Sequence, residues 1–262
     1  MKDIQKEKDH RNIPIDKVGI KNLKYPITVL DKENKKQQTV ATINMYVDLP
    51  HHTKGTHMSR FVEMLNVFRQ ELSLVAFNSI LSDMKKQLNA SSSHIEIEFP
   101  YFIKKAAPVS GSYGLMDYNC KIKGSSDKND RIDLIAEVSV PVTSVCPCSK
   151  EISRFGAHNQ RGLVHLSVRF KKFVWMEDLI KIAEDASSCD LYSVLKRSDE
   201  KMVTEKGYSN PKFVEDIARD AALSLSNNPD ISWFEVSVEN FESIHNHSAY
   251  AYISSTGIEK NR

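Results

Sequence analysis

The sequence predicts an α+β fold, with antiparallel sheets carrying helices on one face, arranged as two tandem modules of ββααβ type. Three observations lead there. Runs rich in β-branched and aromatic residues come in pairs across polar turns, as hairpin strands do. Longer stretches with apolar residues at helical spacing follow those pairs. The order strand, strand, helix, helix, strand then occurs a second time, with little identity between the two halves.

Residues 1–12 are polar and read as a disordered N-terminal tail. In the first module, residues 13–110, the run Tyr25-Pro-Ile-Thr-Val-Leu30 and the run from Gln38 to Asp48 form a hairpin across a polar turn. A histidine-rich loop follows, Pro50-His-His-Thr-Lys-Gly-Thr-His57. Ser59 suits a helix N-cap, and Phe61, Leu65, Phe68, Leu72 and Val75 recur at helical spacing in a run that reaches Leu88. From His94 to Ile103 the alternation of Ile95, Ile97 and Phe99 with Glu96 and Glu98 returns to strand. In the second module, residues 111–262, strands are expected over Tyr113–Ile122, Ile132–Val142 and Leu163–Phe170. Helices are expected over Met176–Leu195 and Pro211–Leu225, with Pro211 in a first turn and Asn227-Asn-Pro229 as the stop. Strands close the chain at Trp233–Phe241 and Ala249–Ser254.

Bulk composition is that of a globular protein, with 40% hydrophobic and 27% charged residues among 262. A net charge of +2 is too small to argue for nucleic acid or membrane surfaces as partners. No apolar run approaches the ~18 residues of a membrane span, and the first residues have no signal-peptide core. The expected address is the cytoplasm, where the four cysteines (120, 146, 148, 189) stay reduced.

The most chemical stretch is Pro141-Val-Thr-Ser-Val-Cys-Pro-Cys-Ser-Lys150, followed by Gly156-Ala-His-Asn-Gln-Arg-Gly162. Thiolate and imidazole are good ligands for a divalent transition metal, and an open coordination position makes such a site catalytic. If the loop stays extended, Cys146 and Cys148 point the same way. A structural zinc site needs a second closely spaced Cys/His pair, and none is present. Cys120 and Cys189 are isolated and read as core residues. Further ligands must come from elsewhere. Candidates are the Asp199-Glu200-Lys201 run, which on pattern alone is a solvated loop, Glu215 one turn into a helix, and His245-Asn-His247 in a turn. Spacing does not choose among them.

Those two stretches, with Leu49-Pro-His-His-Thr-Lys-Gly-Thr-His-Met-Ser-Arg-Phe61 and Glu239-Asn-Phe-Glu-Ser-Ile-His-Asn-His247, resemble the signature motifs of the type IB GTP cyclohydrolases. The resemblance runs from about residue 11 to the end of the chain. It implies the tunnelling fold, as two fused modules assembling into a ring-like barrel, typically a homotetramer with interfacial active sites. It implies conversion of GTP and water to 7,8-dihydroneopterin triphosphate and formate, the first step toward tetrahydrofolate. It implies one divalent metal per site, zinc or manganese among those tolerated. By this similarity Cys146, His158 and Glu200 match the metal ligands, with His245 at or next to the metal, and Glu205 neighbours the less punctuated Glu200 position. Glu215, with Asp216 beside it, matches the carboxylate that anchors a purine or pterin ring.

The chemistry suits these residue types. A divalent metal activates water near neutral pH. His245 has the right intrinsic acidity for proton transfer, and Cys148 is a second catalytic candidate. A carboxylate at Glu215 accepts from guanine N1–H and the 2-amino group together. Lys54, His57 and Arg60, with His51 and His52, and Lys150 and Arg161 beside the metal motif, are candidate triphosphate contacts. Two related enzyme classes fit less well. The nicotinamide motif of the nitrile reductases sharing this fold is absent, as is the Cys-x-x-His pair of type IA cyclohydrolases. A non-catalytic metal-storage module would instead close its coordination sphere with four protein ligands.

Overall fold

The computed structural model describes residues 5, 7–67 and 74–257. Strand β1 (Ile15–Asp31) pairs antiparallel with β2 (Lys35–Leu49), so the expected hairpin is present, with a first strand longer than the apolar run alone indicates. Its turn is held by Asp31, whose carboxylate accepts from the backbone N–H groups of Glu33 and Asn34 and from the Gln37 side chain. An aspartate bonding its own backbone two or three residues on is a standard way to set a turn. Along β2 the residues Ala41, Ile43, Met45, Val47 and Leu49 are buried at every second position.

Helix α1 (Met58–Val67) begins one residue before Ser59, which therefore lies inside the helix rather than at its cap. Helix α2 covers Leu74–Leu88. Phe68 and Leu72 of the expected helical run lie outside the described residues. Phe61, Met64 and Leu65 of α1 and Phe77, Ile80, Leu81 and Met84 of α2 are buried, at the 3–4 residue spacing of one helix face. Strand β3 (Ser93–Ala106) buries Ile95, Ile97 and Phe99 and pairs with β2. Strands β4 (Tyr113–Ser126) and β5 (Ile132–Val145) follow.

The chain divides into two compact units. One runs up to Pro100 and includes Lys121–Ile135; the other comprises Tyr101–Cys120 and the chain from Ala136 onward. The boundaries fall inside β3, β4 and β5. In the second unit β6 (Asn159–Phe170) lies antiparallel between β5 and β8 (Ile231–Asn240), and β9 (Ala249–Ser254) pairs β8. Val138, Val140 and Val142 of β5, Val164, Leu166 and Val168 of β6, and Val236 and Val238 of β8 form its apolar face. Helices α4 (Met176–Ala186) and α6 (Val214–Ser226) bury Leu179, Ile180 and Ala183, and Ile217, Ala221 and Leu225. Full burial of each such valine, leucine or isoleucine side chain is worth about 1.5–3 kcal/mol.

Three local expectations are corrected here. Helix α4 stops at Ala186, nine residues before Leu195. Ser187 hydroxyl donates to the carbonyls of Glu184 and Cys189, and the chain turns into the short strand β7 (Cys189–Asp190), which pairs with β5. The Asp199-Glu200-Lys201 run is helical, within α5 (Arg197–Ser209), rather than a solvated loop. Its helix has almost no apolar stripe, so periodicity carried no signal; its start is set by Asp199, which caps the Lys196 N–H at 2.8 Å. Helix α6 begins at Val214, which puts Glu215 in its first turn and Pro211 ahead of it. No described helix is long and apolar enough to cross a membrane.

Candidate active site

The site grows from the ends of β5 and β6. Cys146 follows the last residue of β5, and its N–H donates to the His158 carbonyl at 3.1 Å, extending the β5–β6 ladder by one bond. Cys146 is the N-cap of a short helix, α3 (Pro147–Ile152), and its Sγ accepts from the Ser149 N–H at 3.4 Å. Pro147 occupies the first helical position, where its fixed φ and missing N–H cost nothing. The expectation that Cys146 and Cys148 project side by side from extended chain fails for this reason. Past the cap, residues two apart in a helix are turned by roughly 200°. Cys146 is half-buried and Cys148 exposed.

Ser149 ties the two donor segments together. Its hydroxyl donates to the Cys146 carbonyl at 3.1 Å and accepts from the His158 N–H at 3.1 Å. Gly156, with φ of +119°, makes the reversal between α3 and His158 in a region that side-chain-bearing residues rarely enter. The His158 ring places Nδ1 2.9 Å from Gln160 Oε1 and 3.2 Å from Ser243 Oγ. Its Nε2 is therefore the nitrogen available to a ligand.

A cavity of about 650 Å³ opens beside this pair, lined by Thr143 and Val145 of β5, Gln160 and Arg161 of β6, Val203, Thr204 and Gly207 of α5, and Phe241 and Ser243. Gly162 on β6 faces Asn240, and a Cβ there would collide with Asn240 Oδ1, so the Asn240 side chain would have to move to admit one. The Arg161 guanidinium makes no hydrogen bond or ion pair among the described residues and is exposed at the cavity.

Helix α5 separates the carboxylates that spacing left undecided. Glu200 stands three, four and seven residues before Val203, Thr204 and Gly207, so it shares their side of the helix, exposed and outside the cavity lining itself. Asp199 is fully buried and committed elsewhere. Burial disfavours its charge, but the N–H and hydroxyl of Ser110 and the N–H groups of Lys196 and Val109 outweigh this and hold its carboxyl well below the usual range. Glu205 is paired with Lys201 at 2.7 Å. At α6, Asp216 accepts from the Phe213 N–H at 3.0 Å and lies 3.7 Å from Arg219, whereas Glu215 is exposed in the first turn.

His245 lies in the exposed loop between β8 and β9, its ring stacked on His247 at 5.1 Å. Among the described residues no three His, Cys, Asp or Glu side chains converge closely enough to hold an ion. Cys146 and His158 are thus brought together through the backbone bond at the ends of β5 and β6, and among the described residues Glu200 and His245 are not gathered with them into a three-donor cluster. Cys120 and Cys189 are buried, and burial pushes both thiols up, as core residues require.

The candidate triphosphate contacts have mixed placements. Lys150 Nζ donates to the Tyr208 carbonyl at 2.6 Å and sits over that residue's ring, so its charge is already engaged. In the first unit, Lys54 pairs with Glu7 at 2.9 Å, and His51 and His52 meet edge to face. His57 and Arg60 line a smaller cavity of about 240 Å³, where Arg60 Nη1 donates to the Gln87 carbonyl at 2.9 Å. Sequence reasoning passed over Ser149, Gln160 and Ser243. Gln160 had a signal: it is polar at an inward position of the β6 alternation that continues through Val164, Leu166 and Val168.

Comparisons with known proteins bear on the family and the fold. A family model described as type I GTP cyclohydrolase folE2 matches residues 1–251. The GTP cyclohydrolase FolE2 of Desulfosudis oleivorans is 68% identical over 254 residues, covering 97% of this chain and 98% of the relative. That of Syntrophobacter fumaroxidans is 60% identical over 253 residues, with 97% and 98% coverage. Among solved structures, urate oxidase from Bacillus subtilis superposes with a TM-score of 0.52 at 9% identity, covering 91% of this chain and 97% of that one. Uricase from Arthrobacter globiformis gives 0.50 at 6% identity, covering 94% and 96%. At such identities these two speak for the fold alone, which is the tunnelling fold. With the family motifs seated on β5, α3 and β6 and the match spanning nearly the whole sequence, the chain belongs to the type I GTP cyclohydrolase FolE2 family.

Proposed function

We propose that this chain is a type IB, metal-dependent GTP cyclohydrolase acting in the cytoplasm. It converts GTP and water to 7,8-dihydroneopterin triphosphate and formate at the head of folate biosynthesis. The observation that carries this reading is the donor pair: Cys146 and His158 held together by a 3.1 Å backbone bond, with one imidazole nitrogen left for a ligand, beside a cavity large enough for a nucleobase.

The donor chemistry fits a divalent metal. Sulfur, imidazole and one carboxylate suit zinc and do not exclude manganese. Cys146 and His158 would hold the ion, with Glu200 the carboxylate best placed by its helix face and His245 the further candidate. An ion there supplies Lewis acidity at the reacting end of the purine. Active sites completed at the contacts of a homotetramer belong to the same reading, on the strength of the motif resemblance. The repeated strand and helix order supports reading residues 13–110 and 111–262 as the tandem modules of that assembly.

The remaining residues bind and move protons. Glu215 accepts from guanine N1–H and the 2-amino group, and its first-turn position leaves both oxygens exposed while Asp216 caps the helix. Arg161, with an uncommitted guanidinium at the cavity, is the strongest triphosphate candidate; Lys150 serves only by releasing the Tyr208 carbonyl. Lys54, His57 and Arg60 are the cationic candidates of the first unit. His245, exposed on its loop, is free to give and take the protons that ring opening and formate loss demand. Cys148, whose thiol is also exposed, is the second proton carrier.

Purified protein supplied with Mn²⁺ or Zn²⁺ should release formate from GTP and yield a product that becomes a fluorescent pterin on oxidation. Absence of formate with every divalent metal tried rejects the reading. Glu215→Ala should keep its metal and weaken GTP binding by about 10–100-fold, the cost of roughly 1.5–3 kcal/mol for a lost charged hydrogen-bond partner. Loss of metal with normal GTP binding would move Glu215 into the coordination sphere instead.

A further inference from the structure

We infer that Gln160 is a positioning residue: it fixes His158 in the Nδ1–H tautomer and so presents Nε2 as the lone-pair donor. The inference rests on the metal reading above for its purpose, but not for its geometry. Gln160 is only 7% exposed, and each end of its amide has a distinct neighbour. Oε1 faces His158 Nδ1 at 2.9 Å. Nε2 donates to Ser144 Oγ at 2.9 Å and to Glu242 Oε1 at 3.5 Å.

The orientation of that amide follows from charge. An amide oxygen only accepts and an amide nitrogen only donates. Turning the group over would set Oε1 against the Glu242 carboxylate, two acceptors in contact, so the carboxylate selects the orientation seen. With Oε1 toward the ring, Nδ1 must carry the hydrogen. Ser243 Oγ, 3.2 Å from the same nitrogen, can accept from it as well. The cross-strand pairing of Ser144 with Gln160 and the loop carrying Glu242 and Ser243 after β8 thus converge on one ring nitrogen. Hydrogen bonds behind a ligating imidazole set its tautomer and ring angle, and their loss typically costs 10–100-fold in metal affinity.

The test uses the full chain with ¹⁵N-labelled histidine, metal-free, above pH 8, with the His158 signal assigned by its absence in His158→Gln. Wild type should show the Nδ1–H tautomer. Gln160→Met, of similar volume but without the acceptor, should shift the ring toward Nε2–H and raise the zinc dissociation constant about 10–100-fold. Gln160→Glu restores an acceptor and should bring back the Nδ1–H signal. A Gln160→Met protein that folds, keeps Nδ1–H and binds zinc as wild type overturns the inference. If Gln160→Met does not fold, Glu242→Ala replaces it: a mixed tautomer supports the proposal and an unchanged one overturns it. Wild type that shows Nδ1–H but binds no zinc sinks the metal reading while leaving the role of Gln160 standing, because the tautomer is read without metal.

Discussion

Cys146→Ala should lose bound metal and GTP turnover together, with kcat/KM falling by more than about 100-fold. Loss of an outer hydrogen-bond partner of a ligand already costs 10–100-fold, and removing the ligand itself must cost more. The fold should survive. Cys146 is half-buried, its Sγ makes only a 3.4 Å contact with the Ser149 N–H, and the backbone bond to His158 does not involve the side chain. Metal content after dialysis, thermal stability and formate release then separate the possibilities. A folded Cys146→Ala protein with full activity would show that the sulfur is no ligand. Cys148→Ala is the internal comparison. Its thiol is exposed and, one helical turn having begun at Pro147, it leaves the cap on a different side from Cys146. It should keep its metal, so a loss of activity in Cys148→Ala would belong to proton transfer rather than to binding of the ion.

How far the sequence carried this picture depends on how locally each feature is encoded. Alternating burial along β2, β3 and β6 is written in consecutive residues, and the strands stand where it put them. The Cys146 and His158 pair was legible because both lie on one β5–β6 connection, whose ends the sheet must bring together. Helix α5 was not legible, since it is anchored from far along the chain: Asp199 reaches back to the N–H groups of Val109 and Ser110 about ninety positions earlier. No window of neighbouring residues contains that. The separate placements of Glu200, Asp199 and Glu205 became visible only once the helix phase was known. Helix α3 was missed because six residues are too few for a periodic signal, although Pro147 at its first position is a start signal in retrospect. The polar groups behind His158 were hidden for the same reason as α5: Gln160 is near in sequence, but Ser144, which holds Gln160, and Ser243 come from another strand and a loop.

Asp190→Ala should cost the second unit about 3 kcal/mol, or a fall in Tm of roughly 6–12 °C. Asp190 on β7 bonds Lys105 of β3 at 2.8 Å and Lys206 of α5 at 2.8 Å, and Tyr192 donates to it as well. Lys105 also holds Glu184 of α4 at 2.8 Å, and that carboxylate accepts from Tyr118 of β4 at 2.7 Å. The network therefore pins α5 to the strands through Asp190 and α4 through Glu184, the two carboxylates sharing Lys105. Removing a partner from a buried pair costs about 3–5 kcal/mol. The low end applies because Lys105 keeps Glu184 and Lys206 is half exposed. The pH dependence has a definite sign. Burial works against the Asp190 charge, but the bonds from Lys105 and Lys206 outweigh it, so the folded-state carboxyl titrates well below its unfolded value near 3.9. Its contribution is then fully present above about pH 4 and is lost as pH falls through the folded-state value. The Tm gap between wild type and Asp190→Ala should accordingly hold constant from pH 8 to pH 5 and narrow below pH 4. Calorimetry that finds a gap under about 2 °C at pH 7, or one unchanged down to pH 3, would show that the charge of Asp190 does not hold these elements together, and that α5 keeps its place, and Glu200 its face, through other anchors such as the bonds of Asp199 to Val109 and Ser110.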